Sequence, residues 1–138
     1  MHAVVVTGGH FQYGRRTKAT LDDADIVICA DRGAGHLEGV GLVPRILISD
    51  LDSTPDEVRQ RLEAAGAEVI AFPRDKDATD AELAVQEAIL RGADRVSILG
   101  ALGGRRFDHT LANVFLLTLP VLQHVDALII DEDVEIFL

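Results

Sequence analysis

The chain has 138 residues, 48% hydrophobic and 26% charged, a composition that supports one globular domain with a real core and excludes a disordered polymer. Its formal net charge of −10 argues against non-specific nucleic-acid binding, which needs a basic face, so an anionic ligand would require cations supplied locally. Cys29 is the single cysteine, which excludes an intramolecular disulfide and a cysteine-based metal site, and no apolar run reaches membrane-spanning length.

The amino end, Met1-His2-Ala3-Val4-Val5-Val6, goes straight into a strand and lacks a signal peptide's layout, so a cytoplasmic protein without a membrane partner is expected. Short aliphatic runs then recur at residues 3–7, 25–30, 45–48, 68–72, 95–99 and 127–130. Continuous rather than alternating hydrophobicity predicts strands covered on both faces, as in a parallel sheet. Cys29 lies inside the second run, where a buried, inert thiol is expected. Between the strands, residues 54–66 predict a helix with Thr54 as N-cap, Pro55 at the first helical position, Glu57 at N3 and Gly66 closing it. Residues 79–92 repeat that pattern with Thr79, Glu82 and Gly92. Residues 108–119 predict a third helix, on which His109 and Asn113 share a face as i, i+4 neighbours. At the carboxyl end, residues 127–130 and 134–138 read as strands joined by the acidic turn Asp131-Glu132-Asp133.

Strands alternating with helices predict an α/β fold: a doubly wound, mainly parallel sheet with helices on both faces, a Rossmann-like three-layer sandwich. The carboxyl end reads as either closing the sheet with its last strand or having been cut from something longer, the second being preferred.

The chemistry-bearing residues follow the strands. After the first come Gly8, Gly9 and His10, where glycines let backbone N–H groups approach a phosphate or simply make a tight turn. After the second comes Asp31-Arg32-Gly33-Ala34. After the third come Asp50 and Asp52, spaced so that both can face one hard cation such as Mg²⁺ from a curved loop. After the fourth comes Pro73-Arg74-Asp75-Lys76-Asp77-Ala78-Thr79-Asp80, and after the fifth Gly103-Gly104-Arg105-Arg106-Phe107-Asp108-His109. All these loops leave the same edge of a parallel sheet, which is where open α/β sheets bind ligands. So many carboxylates in one cleft would repel one another unless a cation is bound. Lys76, Arg74, Arg105 and Arg106 then supply the charge a polyphosphate needs, and Thr79 and Asp80 stand at a helix N-terminus. Acidic metal ligands, basic residues and glycine turns together suit phosphoryl transfer. No Ser/His/Asp or Cys/His spacing supports nucleophilic catalysis, and Gly-Gly-His after the first strand differs from a dinucleotide-binding Gly-x-Gly-x-x-Gly.

These loops resemble one family, thiamine pyrophosphokinase. Its catalytic domain characteristically carries Ala-Asp-Gly-Gly-Ala, Gly-Asp-x-Asp-Ser, Lys-Asp-x-Thr-Asp and Gly-Gly-Arg-x-Asp-His/Gln with a following Asn. Here they stand as Ala30-Asp31-Arg32-Gly33-Ala34, Ser49-Asp50-Leu51-Asp52-Ser53, Lys76-Asp77-Ala78-Thr79-Asp80 and Gly103 to His109 with Asn113 beyond. The resemblance implies Mg²⁺-dependent transfer of pyrophosphate from ATP to thiamine, giving thiamine diphosphate and AMP. It implies that Asp50, Asp52 and Asp80 organise metal and polyphosphate. It further implies that Gly9, Asp31, Lys76, Asp77, Thr79 and Arg106 line the nucleotide, with Asp52, Asp108 and Arg105 at the reacting centre. Either Asp52 or Asp108 would accept or orient the hydroxyl proton. The chain departs from the pattern at Arg32 and Ser49, each in place of glycine, and carries an extra arginine at 105 or 106. Family members are similar in being homodimers with a second, β-rich domain that helps form the thiamine site, so the resemblance implies that residues 1–126 form the nucleotide-binding catalytic domain and that residues 127–138 hold the last strand or strands and the start of a truncated second domain. The alternative expectation is a non-catalytic nucleotide-binding or regulatory module of the same fold.

Overall fold

The computed structural model describes residues 1–30, 32–50, 54–73 and 77–138. The aliphatic runs become strands β1 (His2–Val6), β2 (Ile26–Ala30), β3 (Ile46–Asp50), β4 (Glu68–Phe72), β5 (Arg95–Leu99) and β6 (Asp126–Ile130), with a short β7 (Glu135–Ile136). They form one sheet in the order β4-β3-β2-β1-β5-β6-β7, parallel except for the antiparallel β6–β7 pair. The helices are α1 (Arg15–Asp22), α2 (Gly33–Gly39), α3 (Asp56–Ala64), α4 (Asp80–Leu90) and α5 (Phe107–Phe115). None of the described helices is long and apolar enough to cross a membrane.

Because side chains alternate along a strand, each central strand feeds two cores. Val5, Ile28, Ile48 and Ile98 pack with Ala81, Ala84, Val85 and Ala88 of α4 and with Leu116, Leu117 and Leu122. Val4, Val6, Cys29 and Leu47 pack with Leu21 of α1, Leu37 of α2 and Leu62 of α3. The sheet is thus covered on both faces, and the doubly wound three-layer α/β sandwich expected from the aliphatic runs is the one observed. β6 and β7 extend this same sheet rather than standing apart from it.

Local readings needed correction at the helices. α1 and α2 are absent from the sequence reading, because α1 buries only Thr17 and Leu21 and has no side-chain cap of its own, while α2 contains Gly33, Gly35 and Gly39. Both are held by docking onto the sheet rather than by propensity. α3 begins at Asp56 with Pro55 as N-cap, so Thr54 does not cap it and Glu57 is not at N3. Instead the Thr54 hydroxyl meets Ser49 Oγ. α5 stops at Phe115, passing into 3-10 turns at Leu116–Thr118 and Pro120–Leu122, and Pro120 keeps Leu119 extended between them.

From β1 the chain steps outward to β4. α4 then crosses back over the sheet and delivers the chain to β5, on the other side of β1. The strand order therefore reverses between β1 and β5, opening a crevice at their carboxyl ends.

Candidate active site

The floor of that crevice is backbone packed on backbone. The Thr7 amide donates to Leu99 O at 2.9 Å, and Thr7 Oγ1 donates to Gly100 O at 2.6 Å. The Gly9 amide donates to Gly100 O at 2.6 Å and the His10 amide to Leu102 O at 2.7 Å. A Cβ on Gly9 would collide with the Gly100 carbonyl oxygen, so glycine is required there for close approach of the two turns. His36 Nε2 donates to Gly9 O at 2.8 Å while its ring stacks on Phe11 with centroids 4.9 Å apart. The β1 turn is thereby clamped from both sides.

Above this floor lies a cleft of about 1190 Å³ walled by the turns after β1, β2 and β5, the end of β3 and the start of α4 and α5. Two carboxylates on its lining are buried: Asp50, the last residue of β3, at 8% exposure, and Asp80, the first residue of α4, at 5%. Thr79 caps α4, its Oγ1 accepting from the Glu82 amide at 3.1 Å. The same lining carries the guanidinium-bearing Arg32, Arg105 and Arg106. Arg106 grips Asp108 with two bonds, Nε to Oδ1 at 3.0 Å and the terminal nitrogen to Oδ2 at 2.5 Å. That grip, mainly the hydrogen bonding, holds the Asp108 carboxyl below its usual range and raises the Arg106 guanidinium above its own. α5 closes the wall: Asn113 Nδ2 donates to Ala101 O at 3.0 Å, and Thr110 Oγ1 donates to Gly103 O at 3.1 Å.

A family model described as "Thiamin pyrophosphokinase, catalytic domain" matches residues 17–129. The chain belongs to that family. The thiamine pyrophosphokinase of Bacillus subtilis (strain 168) is 32% identical over 128 residues, covering 93% of this chain and 59% of that protein. The crystal structure of thiamine pyrophosphokinase from Bacillus subtilis superposes with a TM-score of 0.76 at 30% identity, covering 96% of this chain and 61% of the other. A thiamin pyrophosphokinase family protein from Enterococcus faecalis gives a TM-score of 0.76 at 31% identity, covering 95% and 62%. The chain thus spans about three fifths of the length of these relatives.

The cleft collects Gly9, Asp50, Thr79, Asp80, Arg105 and Arg106 from the family-type motifs. Asp31, Asp52 and Lys76 lie outside the described residues. Asp77 is exposed and does not line the cleft, and Asp108 is turned onto Arg106 rather than into the lining. The Gly9 amide, expected to be available to a phosphate, is taken by Gly100 O. The two glycine departures cost no strain. Arg32 has φ −84° and ψ 2°, open to any L-residue, and Ser49 lies within β3 in register with Ala71. Sequence reasoning missed Thr7 and Arg32 as lining residues, since only the strand order brings the turns after β1 and β2 together.

Among the described residues, no three His, Cys, Asp or Glu side chains form a metal-holding group. Asp50 and Asp80 nevertheless suit a hard cation chemically, being two buried carboxylates that line one cleft. A Ser-His-Asp chain does occur at the opposite, amino edge of the sheet. His2 Nε2 lies 2.8 Å from Ser97 Oγ, and Nδ1 lies 3.1 Å from Asp23 Oδ2. Ser97 is 2% exposed inside the sheet, so this chain ties β1, β5 and α1 together and offers no nucleophile to a substrate.

Proposed function

We propose that this chain is the catalytic domain of an enzyme that transfers pyrophosphate from ATP to the hydroxyl of thiamine, giving thiamine diphosphate and AMP. The observation that carries the reading is the cleft at the β1/β5 reversal, whose lining combines buried Asp50 and Asp80 with exposed arginines in a chain of this family. Asp50, Asp80 and the neighbouring Asp52 would hold Mg²⁺, which offsets phosphate charge and orients the in-line attack. Thr79 and the N-terminus of α4 present amide hydrogens and the positive end of the helix dipole to a phosphate. Arg105 neutralises charge on the group being transferred. Asp108, kept ionised by Arg106, or Asp52 accepts or orients the hydroxyl proton.

By the family resemblance, a further β-rich segment, for which the relatives' greater length leaves room, and a second copy of the chain would complete the thiamine site, in the cytoplasm. Calorimetric titration with a non-hydrolysable ATP analogue, with and without Mg²⁺, tests the core of it. Metal-dependent binding that disappears in Asp52→Asn is expected. Binding that ignores both the metal and the substitution would sink the reading, and no binding at all would mean that the site is unformed in this chain and would put a regulatory or degenerate module ahead.

A further inference from the structure

Arg32 occupies a position whose significance is set by the strand order. β2 and β5 are the two neighbours of β1, so the turns that follow them flank the Gly8–Gly9 turn. Arg32 enters the cleft from the β2 side and Arg105 from the β5 side. The β1 turn abuts Arg32 directly, since a Cβ built on Gly8 would lie 3.0 Å from Arg32 Cβ. Among the described arginines, Arg16, Arg59, Arg61, Arg91, Arg95 and Arg106 are each paired with a carboxylate. Arg32 is exposed on the cleft lining, and its guanidinium, like those of Arg15, Arg45 and Arg105, has no hydrogen bond or ion pair to a described residue, while its carbonyl accepts from the Gly35 amide. Its backbone angles are ordinary, so nothing about the turn demands or forbids a side chain there.

We infer that Arg32 is a phosphate-reading residue of this cleft, contacting the polyphosphate of the nucleoside triphosphate from the side of β1 opposite Arg105. This rests on the functional reading above and adds a residue to it. The electrostatic reason is local. A chain with 23 acidic and 13 basic residues places two buried carboxylates on the same lining, so an entering polyphosphate meets repulsion that each placed cation reduces. A guanidinium is always charged and presents a planar fork that matches two phosphate oxygens.

The test compares the 138-residue chain with Arg32→Gln and Arg32→Lys, titrating Mg·ATP analogue and inorganic tripolyphosphate in each, with thermal melting as a control for folding. Arg32→Gln should weaken both ligands by roughly tenfold, the size of one charge-assisted contact, and flatten the dependence of affinity on salt. Arg32→Lys should recover most of that loss. Affinities unchanged in Arg32→Gln overturn the inference while leaving the functional reading standing. So does a loss seen for the ATP analogue but not for tripolyphosphate, because the residue would then not be reading phosphate. Failure of the unaltered chain to bind either ligand overturns both.

Discussion

Gly33 shows how much a single hydrogen atom can decide. A Cβ there would overlap the Val6 carbonyl oxygen, which is fixed in the central strand and cannot step aside. Gly33→Ala should therefore lower stability by about 1–3 kcal/mol, the usual cost of overfilling a packed position, and a urea melt measures it. A change within about 0.5 kcal/mol would mean that α2 slides freely on the sheet. Cys29 illustrates the opposite case, a residue isolated by its neighbours. It is fully buried in β2, and burial pushes its thiol well above the ordinary value, so almost no thiolate exists near neutral pH. Modification by a thiol reagent should proceed at the rate of global unfolding and accelerate with denaturant in parallel with loss of helix signal. Fast labelling of the native chain would contradict the burial.

At the scale of elements, two helices are capped by different means. α4 caps itself: Thr79→Ala should cost about 1 kcal/mol and Thr79→Ser should restore it, both read from denaturation midpoints. α1 depends on a residue far along the chain. The Glu132 carboxylate, in the turn between β6 and β7, accepts from the Arg16 amide at 3.1 Å and the Thr17 amide at 2.7 Å. Arg16 in turn reaches Glu135 at 2.5 Å. Hydrogen bonds from Thr17 lead the causes that lower the Glu132 pKa below the glutamate value of 4.5. A depressed folded-state pKa means stability that is present above the unfolded value and lost as pH falls through the folded one. The stability difference between the chain and Glu132→Gln should thus be full above about pH 5 and shrink as acid protonates the carboxylate. A difference that grows below pH 4 would refute the assignment of that cap. The acidic turn was visible in the sequence, but its role was not, because its partner lies 115 residues away.

For the whole molecule, the cleft exists because one sheet reverses its strand order between β1 and β5 and both turns there are packed to backbone contact. Ligand bound in that crevice joins elements from both halves of the sheet, so Mg·ATP analogue at a hundredfold over its dissociation constant should add about 2.7 kcal/mol to unfolding. A thermal midpoint that does not move under those conditions would show that binding does not depend on the folded sheet. Much of this was legible in the amino-acid order. Aliphatic runs such as residues 68–72 and 95–99 became strands with those same bounds, because burial on both faces leaves an unbroken apolar signature. The acidic and basic residues at strand ends were legible for the same reason, since a parallel sheet gathers them on one edge. Tertiary structure alone decided the rest: that α1 and α2 are helices, that Asp108 turns onto Arg106, and that Arg32 and Arg105 flank one turn. Those outcomes depend on which strand pairs with which and on docking against the sheet. Such contacts join residues tens of positions apart, and local periodicity carries no record of them.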